Sequence, residues 1–299
     1  MFRGTEFTVG VCSFNEAKNI KKCIESIFSQ KFTTLDLKEV VVVSSGSTDG
    51  TESIVDGLSK KYPGLRLIKQ NNREGKNSAI NNFLGIKTTE LVALVNADNI
   101  LKDEDTLQHL VEPLLDESVG IAGGHPIPVN RTDHFSGFAS QLIWSYHRHI
   151  ALNETKIGEL IAFRDVGINL PIDTQSDEDY IRKAVESKGL RAVYVPEAET
   201  FIMGPDCLKD LILQRERVNI GQSYMRMKED YYNPSRDPKV LMSVFTDVVK
   251  DVGFHPFRIG LSIAVESYCR LRGKVYAKSG RKDPNVWDMV ESTKKVRRS

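Results

Sequence analysis

Apolar residues recur along the first two hundred positions in two alternating rhythms. Short unbroken runs, FTVGVCS (7–13), LKEVVVVSS (37–45), LRLIKQ (65–70) and ELVALVN (90–96), read as strands buried on both faces. Between them, apolar residues return at helical spacing: Ile20, Cys23, Ile24, Ile27 and Phe28, then Ile54, Val55 and Leu58, then Ala79, Ile80, Phe83 and Leu84. Asn15 is expected to cap the first of these helices, and Pro63-Gly64 to end the second. Strands alternating with helices at this interval predict an α/β fold, a mostly parallel sheet flanked by helices. Beyond it, Leu107, Leu110, Val111, Leu114 and Leu115 predict a further helix, and VGIAGG (119–124) and LRAVYV (190–195) two more strands. Helical patterns cover residues 177–188 and 207–223 and resume from 239, whereas 126–169 reads as less regular. The turn-rich NPSRDP (233–238) is the expected linker, dividing a body of residues 1–232 from a helical C-terminal extension of residues 233–299.

The fourth run ends in Asn96-Ala97-Asp98-Asn99. Strand alternation points Asn96 and Asp98 the same way, from the strand end where open α/β sheets bind ligands. A carboxylate there can hold a divalent cation, and the cation a diphosphate. A plain polar turn is the alternative. Other loops are expected at the same rim. The hydroxyl-rich turn Ser44 to Thr51 either admits a ligand to the backbone or serves helix capping through Thr48 or Asp49. Arg73-Glu74-Gly75-Lys76 puts two cations on a glycine-containing loop before a helix, a phosphate site or a solvated loop. Asp177-Glu178-Asp179 sets three carboxylates in a first helical turn, where the helix dipole favours acids and where a general base for a hydroxyl could also stand. Gln214-Arg215-Glu216-Arg217 is either a charged helix face or a guanidinium clamp for a diphosphate.

Composition changes little in this picture: 40 % hydrophobic and 27 % charged residues suit an ordinary globular protein. Four cysteines without a CxxC pair suggest neither zinc nor a disulfide framework, and the start lacks a signal-peptide core. A cytoplasmic location is therefore expected. Charge is uneven. The chain is +1 overall, but from Arg270 onward ten Lys or Arg face three acids, so the tail is +7 and the body −6. An acidic body with a basic tail argues against a nucleic-acid binder.

Strand–NE, strand–SSGSTDGT, REGKxxAxN, strand–NAD, DED and QRER follow one another in an order that resembles the family 2 glycosyltransferases, from about Phe7 to Gln222. That resemblance implies an inverting enzyme of GT-A fold using a UDP- or GDP-linked sugar, with Mg²⁺ or Mn²⁺, and makes residues 1–232 the catalytic domain. Base and ribose contacts are implied at Ser13, Asn15, Glu16, Ser45 and Asp49, diphosphate contacts at Arg73, Lys76 and Arg217, a further donor contact at Gln214, and the DxD motif at Asn96 and Asp98, with Asp98 as metal ligand. The family's base position falls best on Glu178, with Asp177 and Asp179 as rivals. Trp144 and His147 are candidates for the acceptor side, the acceptor being a glycan or a lipid-linked molecule. Three departures stand out: Ser44-Ser45 where the family often has two aspartates, Asn96 for the first aspartate of DxD, and Val218 for the tryptophan of processive relatives. A non-processive enzyme is expected, with a non-catalytic nucleotide-sugar-binding subunit as the alternative. From Val240 the chain is apolar enough for amphipathic helices and too interrupted by Asp247, Lys250, Asp251 and Arg258 to span a bilayer, so with the basic tail it predicts either peripheral attachment to an anionic membrane surface, at the inner face, or packing on the body.

Overall fold

The computed structural model describes residues 4–174, 176–281, 286 and 290–293. The elements run β1 Thr5–Ser13, α1 Ile20–Phe28, β2 Leu35–Ser45, α2 Thr51–Ser59, β3 Leu65–Gln70, α3 Lys76–Ile86, β4 Leu91–Asn96 and β5 Ile100–Leu101. They continue α4 Thr106–Val111, β6 Val119–Pro128, α5 Phe135–Glu154, β7 Leu160–Arg164, α6 Asp177–Glu186 and β8 Arg191–Ile202. Four helices follow: α7 Leu208–Glu229, α8 Pro238–Ser243, α9 Phe245–Val252 and α10 Pro256–Lys278. Two compact units emerge, one of residues up to 126 with 157–172 and 177–201, the other of 127–156, 173–176 and everything from 202.

The first unit is built on an eight-stranded sheet in the order β3-β2-β1-β4-β7-β6-β8-β5. Strands β3, β2, β1 and β4 are parallel. The valine run of β2 shows why an unbroken apolar strand suits this place. Val40 and Val42 enter the core on one face, with Val9, Val11, Ile24 and Ile27, while Val41 and Val43 enter that on the other, with Ile80, Phe83 and Phe163. Phe83 lies so close over Gly10 that a Cβ there would stand 2.7 Å from its ring, so β1 carries a glycine in mid-strand. Next to β4, β7 runs antiparallel, pairing Leu160 with Val95 and then reaching β6 on its other side. The start of β7 therefore lies at the same edge as the end of β4.

Three expectations change. Asn15 is no helix cap: α1 starts at Ile20, and Asn15 sits at φ +52° and reaches across to the next loop. Asx side chains hydrogen-bond locally and tolerate this left-handed conformation, which suits a turn as well as a cap. The region read as irregular holds the 20-residue α5 and the strand β7. Its pattern is blurred because α5 buries Ser136, Ser140, Ser145 and His147 together with Phe138, Leu142 and Ile150. The NPSRDP segment is ordered, with Asn233 and Asp237 accepting from the backbone of Ser235 and Lys239 at 3.0 and 2.8 Å, and the second unit continues on both sides of it.

In the second unit, α7 and α10 lie side by side. Glu266 on α10 accepts from Arg215 (2.8 Å) and Asn219 (3.2 Å) of α7 and from Arg270 of its own helix (2.9 Å). Helix α5 packs with Val240, Val244, Val248 and Ile259, and its Ser145 and His149 both reach Asp251 at 2.8 Å. Among the described residues no helix is long and apolar enough to cross a membrane. Half of the ten basic residues of the tail (Lys282, Lys294, Lys295, Arg297, Arg298) lie outside the described residues.

The α7–α10 contact can be tested at two glycines of one helix. An added Cβ at Gly273 would stand 2.7 Å from the Asn219 backbone, whereas Gly260 has nothing within 4 Å. Gly→Ala in a helix normally gains about 0.5–1 kcal/mol. Gly260→Ala should therefore raise Tm slightly and Gly273→Ala lower it; equal shifts in thermal melts would contradict the packing.

Candidate active site

The ends of β1 and β2 are laced together by the polar residues that follow them. Asn15 accepts from the Thr48 N–H at 2.8 Å and donates its own N–H to Ser47 at 3.1 Å. The N–H of Glu16 donates to the Thr51 hydroxyl at 2.8 Å, and that of Ala17 to Asp49 Oδ2 at 2.9 Å. Asp49 Oδ1 also accepts from the Thr51 N–H at 3.1 Å, so Asp49 both tethers the first loop and steadies the start of α2. Burial opposes its ionisation, but these hydrogen bonds hold its carboxyl below the usual range.

Ser45, buried, accepts from the Glu74 N–H at 3.0 Å and so ties this turn to the Arg73–Lys76 loop. At Gly46 the two loops touch backbone to backbone: φ is +69°, and a Cβ would meet the Asn72 carbonyl carbon at 2.7 Å. Arg73 lies 4.2 Å above the Phe14 ring, where the ring's negative face holds the guanidinium against the first loop. Ser13 is buried beside them, its hydroxyl 3.4 Å from the Val43 carbonyl. Ser13, Asn15, Glu16, Ser45, Asp49 and Arg73 are thus brought to one edge of the sheet.

Lys76 opens α3 and stands at the centre of the charge at this edge. Its ammonium is 2.7 Å from Asp177 and 3.4 Å from Glu178, the first two residues of α6. The polar face of α3 sets that meeting. Asn77 and Asn81 donate to the carbonyls of Pro171 and Leu170 at 2.7 and 2.8 Å, and Leu170 N–H returns a bond to Asn81 at 2.8 Å. Burial works against the Lys76 charge, yet Asp177, Glu178 and Glu159 hold its pKa well above the ordinary value. Asp177 is buried and tied to Lys76, whereas Glu178 keeps 26 % of its side chain exposed. Of the three acids, Glu178 combines this contact with access to solvent; Asp179 follows it on the same helix.

One further acid of this group carries no sequence signal. Glu159, just before β7, accepts at Oε2 from Asn96 Nδ2 at 2.7 Å, and its backbone carbonyl accepts from Asn96 at 3.3 Å and Asn99 at 3.5 Å. Its N–H lies 3.4 Å from Glu178 Oε1. Burial pushes its carboxyl up to about 7, with Glu178 and Asp98 adding to the shift and Lys76 opposing it. Burial and Glu178 likewise push Asp177 up to about 6 against Lys76. Negative charge exceeds positive charge in this corner, and a bound divalent cation would offset it. Asp98 and Glu159 offer carboxylate oxygens and Asn96 an amide carbonyl, hard donors of the kind Mg²⁺ and Mn²⁺ accept. Among the described residues no three His, Cys, Asp or Glu form a closed cage, so such an ion would draw its remaining ligands from phosphate and water.

The other four expected residues belong to the second unit. Trp144 and His147 lie on α5 with ring centroids 5.0 Å apart. Gln214 and Arg217 lie on α7, where the intervening Arg215 and Glu216 pair with Glu266 (2.8 Å) and Arg272 (3.3 Å) of α10.

Residues 8–186, well over half of the chain, match the model of glycosyl transferase family 2. Glycosyltransferase AglE of Haloferax volcanii is 29 % identical over 112 residues, 38 % of this chain and 36 % of that protein, so the chain matches little more than a third of that relative's length. Among solved structures, the mannosyltransferase PcManGT of Pyrobaculum calidifontis, in complex with GDP-Man and Mn²⁺, is similar over 93 % of this chain and 79 % of its own, with a TM-score of 0.60 and 24 % identity. Glucosyl-3-phosphoglycerate synthase of Mycobacterium tuberculosis, in complex with Mn²⁺, UDP and phosphoglyceric acid, covers 73 % and 78 % with a TM-score of 0.51 and 17 % identity. These structural likenesses are of fold, the GT-A type with C-terminal helices that the motif order implied. By that match and by the loops gathered at this edge of the sheet, the chain belongs to glycosyl transferase family 2.

Proposed function

We propose that this protein is an inverting, non-processive glycosyltransferase that moves a hexose from a UDP- or GDP-linked donor to a hydroxyl or phosphate of a glycan or lipid-linked acceptor. The observation that carries this reading is the convergence of Asn96, Asp98, Lys76, Glu159 and Glu178 beside the laced loops of β1 and β2. The loops around Ser13, Asn15, Glu16, Ser45 and Asp49 receive the base and ribose, and Arg73 and Lys76 receive the diphosphate. Glu178 is the general base. Its partial exposure lets it meet an acceptor hydroxyl and take the proton, while Asp177, pinned by Lys76, fixes the turn that presents it. The acceptor oxygen then attacks the anomeric carbon from the face opposite the departing diphosphate. When bound, Mg²⁺ or Mn²⁺ at Asp98 supplies charge that stabilises this leaving group. Trp144 and His147 serve the acceptor side.

The second unit supports a finer reading of place: peripheral attachment to an anionic membrane on the cytoplasmic side. Along α10, Phe257, Leu261, Ala264, Tyr268, Leu271 and Val275 fall at alternating steps of four and three residues and are exposed, Phe257 at 81 % and both Leu271 and Val275 at 62 %. An exposed apolar stripe this long needs a covering surface. The single acid of the helix, Glu266, is engaged by Arg215 and Arg270, so the free charge beside the stripe is basic, including Lys274 and Lys278. Such residues contribute about 1 kcal/mol each at an anionic surface.

Incubation with a panel of nucleotide sugars and Mn²⁺ tests the chemistry, since slow hydrolysis needs no acceptor. Metal-dependent hydrolysis of one donor is expected, with Glu178→Gln sparing donor binding and lowering turnover by roughly 10² or more. Binding without turnover on any donor would favour a non-catalytic nucleotide-sugar-binding subunit instead. For the membrane, flotation should show salt-sensitive binding to anionic but not neutral vesicles, weakened by Phe257→Ser with Leu271→Ser. A protein that never floats would overturn the attachment.

A further inference from the structure

We infer that Glu159 supplies the second carboxylate of the cation site at Asp98, in compensation for the amide at Asn96. The inference rests on the donor-site reading above and concerns which residues complete it.

The turn after β4 carries one carboxylate, Asp98, between two amides, Asn96 and Asn99. A single carboxylate is a weak hold on a divalent cation. Both flanking amides are turned toward the same residue. Asn96 gives its NH₂ to the Glu159 carboxylate at 2.7 Å and to its carbonyl at 3.3 Å, and Asn99 reaches that carbonyl at 3.5 Å. Asp98 lies between those two amides in the same turn. A carboxylate from the residue just before β7 is thereby bound into the NADN turn.

The backbone at Glu159 is unusual in its own right. Its φ is +63°, and Leu160 N–H bonds back to the Gly158 carbonyl at 2.8 Å, closing a three-residue γ-turn of the strained, positive-φ kind. Glycine takes such a conformation freely, while a glutamate adopts it only at a cost. The neighbouring Gly158 shows that this chain has a glycine within one residue of the strained position. Strain of this sort persists where a side chain is needed in one place.

The pairing also explains why position 96 is an amide. A carboxylate at 96 would stand at hydrogen-bonding distance from the Glu159 carboxylate, two like charges with no proton donor between them. An amide at 96 and an acid at 159 form one compatible pair. An acid at 96 and an amide at 159 would form the other, with the hydrogen bond reversed and the number of carboxylates unchanged.

If Glu159 only closed the turn, Glu159→Gln would be nearly silent, because the glutamine carbonyl can still accept from Asn96. The decisive experiment measures Mn²⁺ affinity by electron paramagnetic resonance in the presence of uridine or guanosine diphosphate, on the full chain, with thermal melts as a control for folding. Glu159→Gln should weaken Mn²⁺ binding by about tenfold or more with little change in Tm. Asn96→Asp alone should lower the Tm of the metal-free protein. Asn96→Asp combined with Glu159→Gln should recover both metal-free Tm and Mn²⁺ affinity. Should Glu159→Gln bind Mn²⁺ as well as the wild type while Asp98→Asn does not, this inference falls and the donor-site reading stands. Should the wild type bind no Mn²⁺ with either diphosphate, the donor-site reading falls and takes this inference with it.

Discussion

The ammonium of Lys76 among Asp177, Glu178 and Glu159 is the interaction on which the rest of the site depends. A charge taken out of water is tolerated only against opposite charge and good hydrogen bonding. That requirement couples three separate pieces of chain: the start of α3, the start of α6 and the residue before β7. Asn77 and Asn81 hold the first two in register through the backbone at Leu170 and Pro171. Because three buried or half-buried acids share one lysine, and Asp98 adds its charge to Glu159, the corner is short of positive charge. Burial and that shortage together raise the carboxyl pKa values of Glu159 and Asp177.

The sheet topology makes the shortage possible. A wholly parallel sheet would have placed the start of the strand beside β4 at the opposite edge. Antiparallel β7 instead brings Glu159 level with Asn96 at the same edge of the sheet. The backbone strain at φ +63° and the half-buried carboxylate are costs carried by the well-packed strands beside it, where Val95, Leu160 and Ala162 are fully or almost fully buried.

Much of this was legible in the sequence. The parallel half of the sheet announced itself in four apolar runs, because strands buried on both faces leave no polar alternation to confuse the pattern. Lys76, Asp98 and Glu178 stood in motifs whose order along the chain carried the information. Glu159 did not. The strand it precedes is five residues long, the antiparallel pairing is a long-range event, and a positive φ at a non-glycine residue leaves no trace in composition. Asn15 misled for a chemical reason: the same short amide that caps helices also bridges loops, and here it accepts from Thr48. Helix α5 hid because three serines and a histidine are among its ten buried residues.

The most direct test of the account is a crystal structure of the protein with Mn²⁺ and uridine or guanosine diphosphate, with the metal located by its anomalous scattering. A manganese peak is expected within bonding distance of an Asp98 carboxylate oxygen, with the diphosphate beside Asp98 and the start of α3 and the nucleoside against the loops of Asn15 and Asp49. A diphosphate bound away from this edge of the sheet, or a metal with no contact to Asp98, would contradict it.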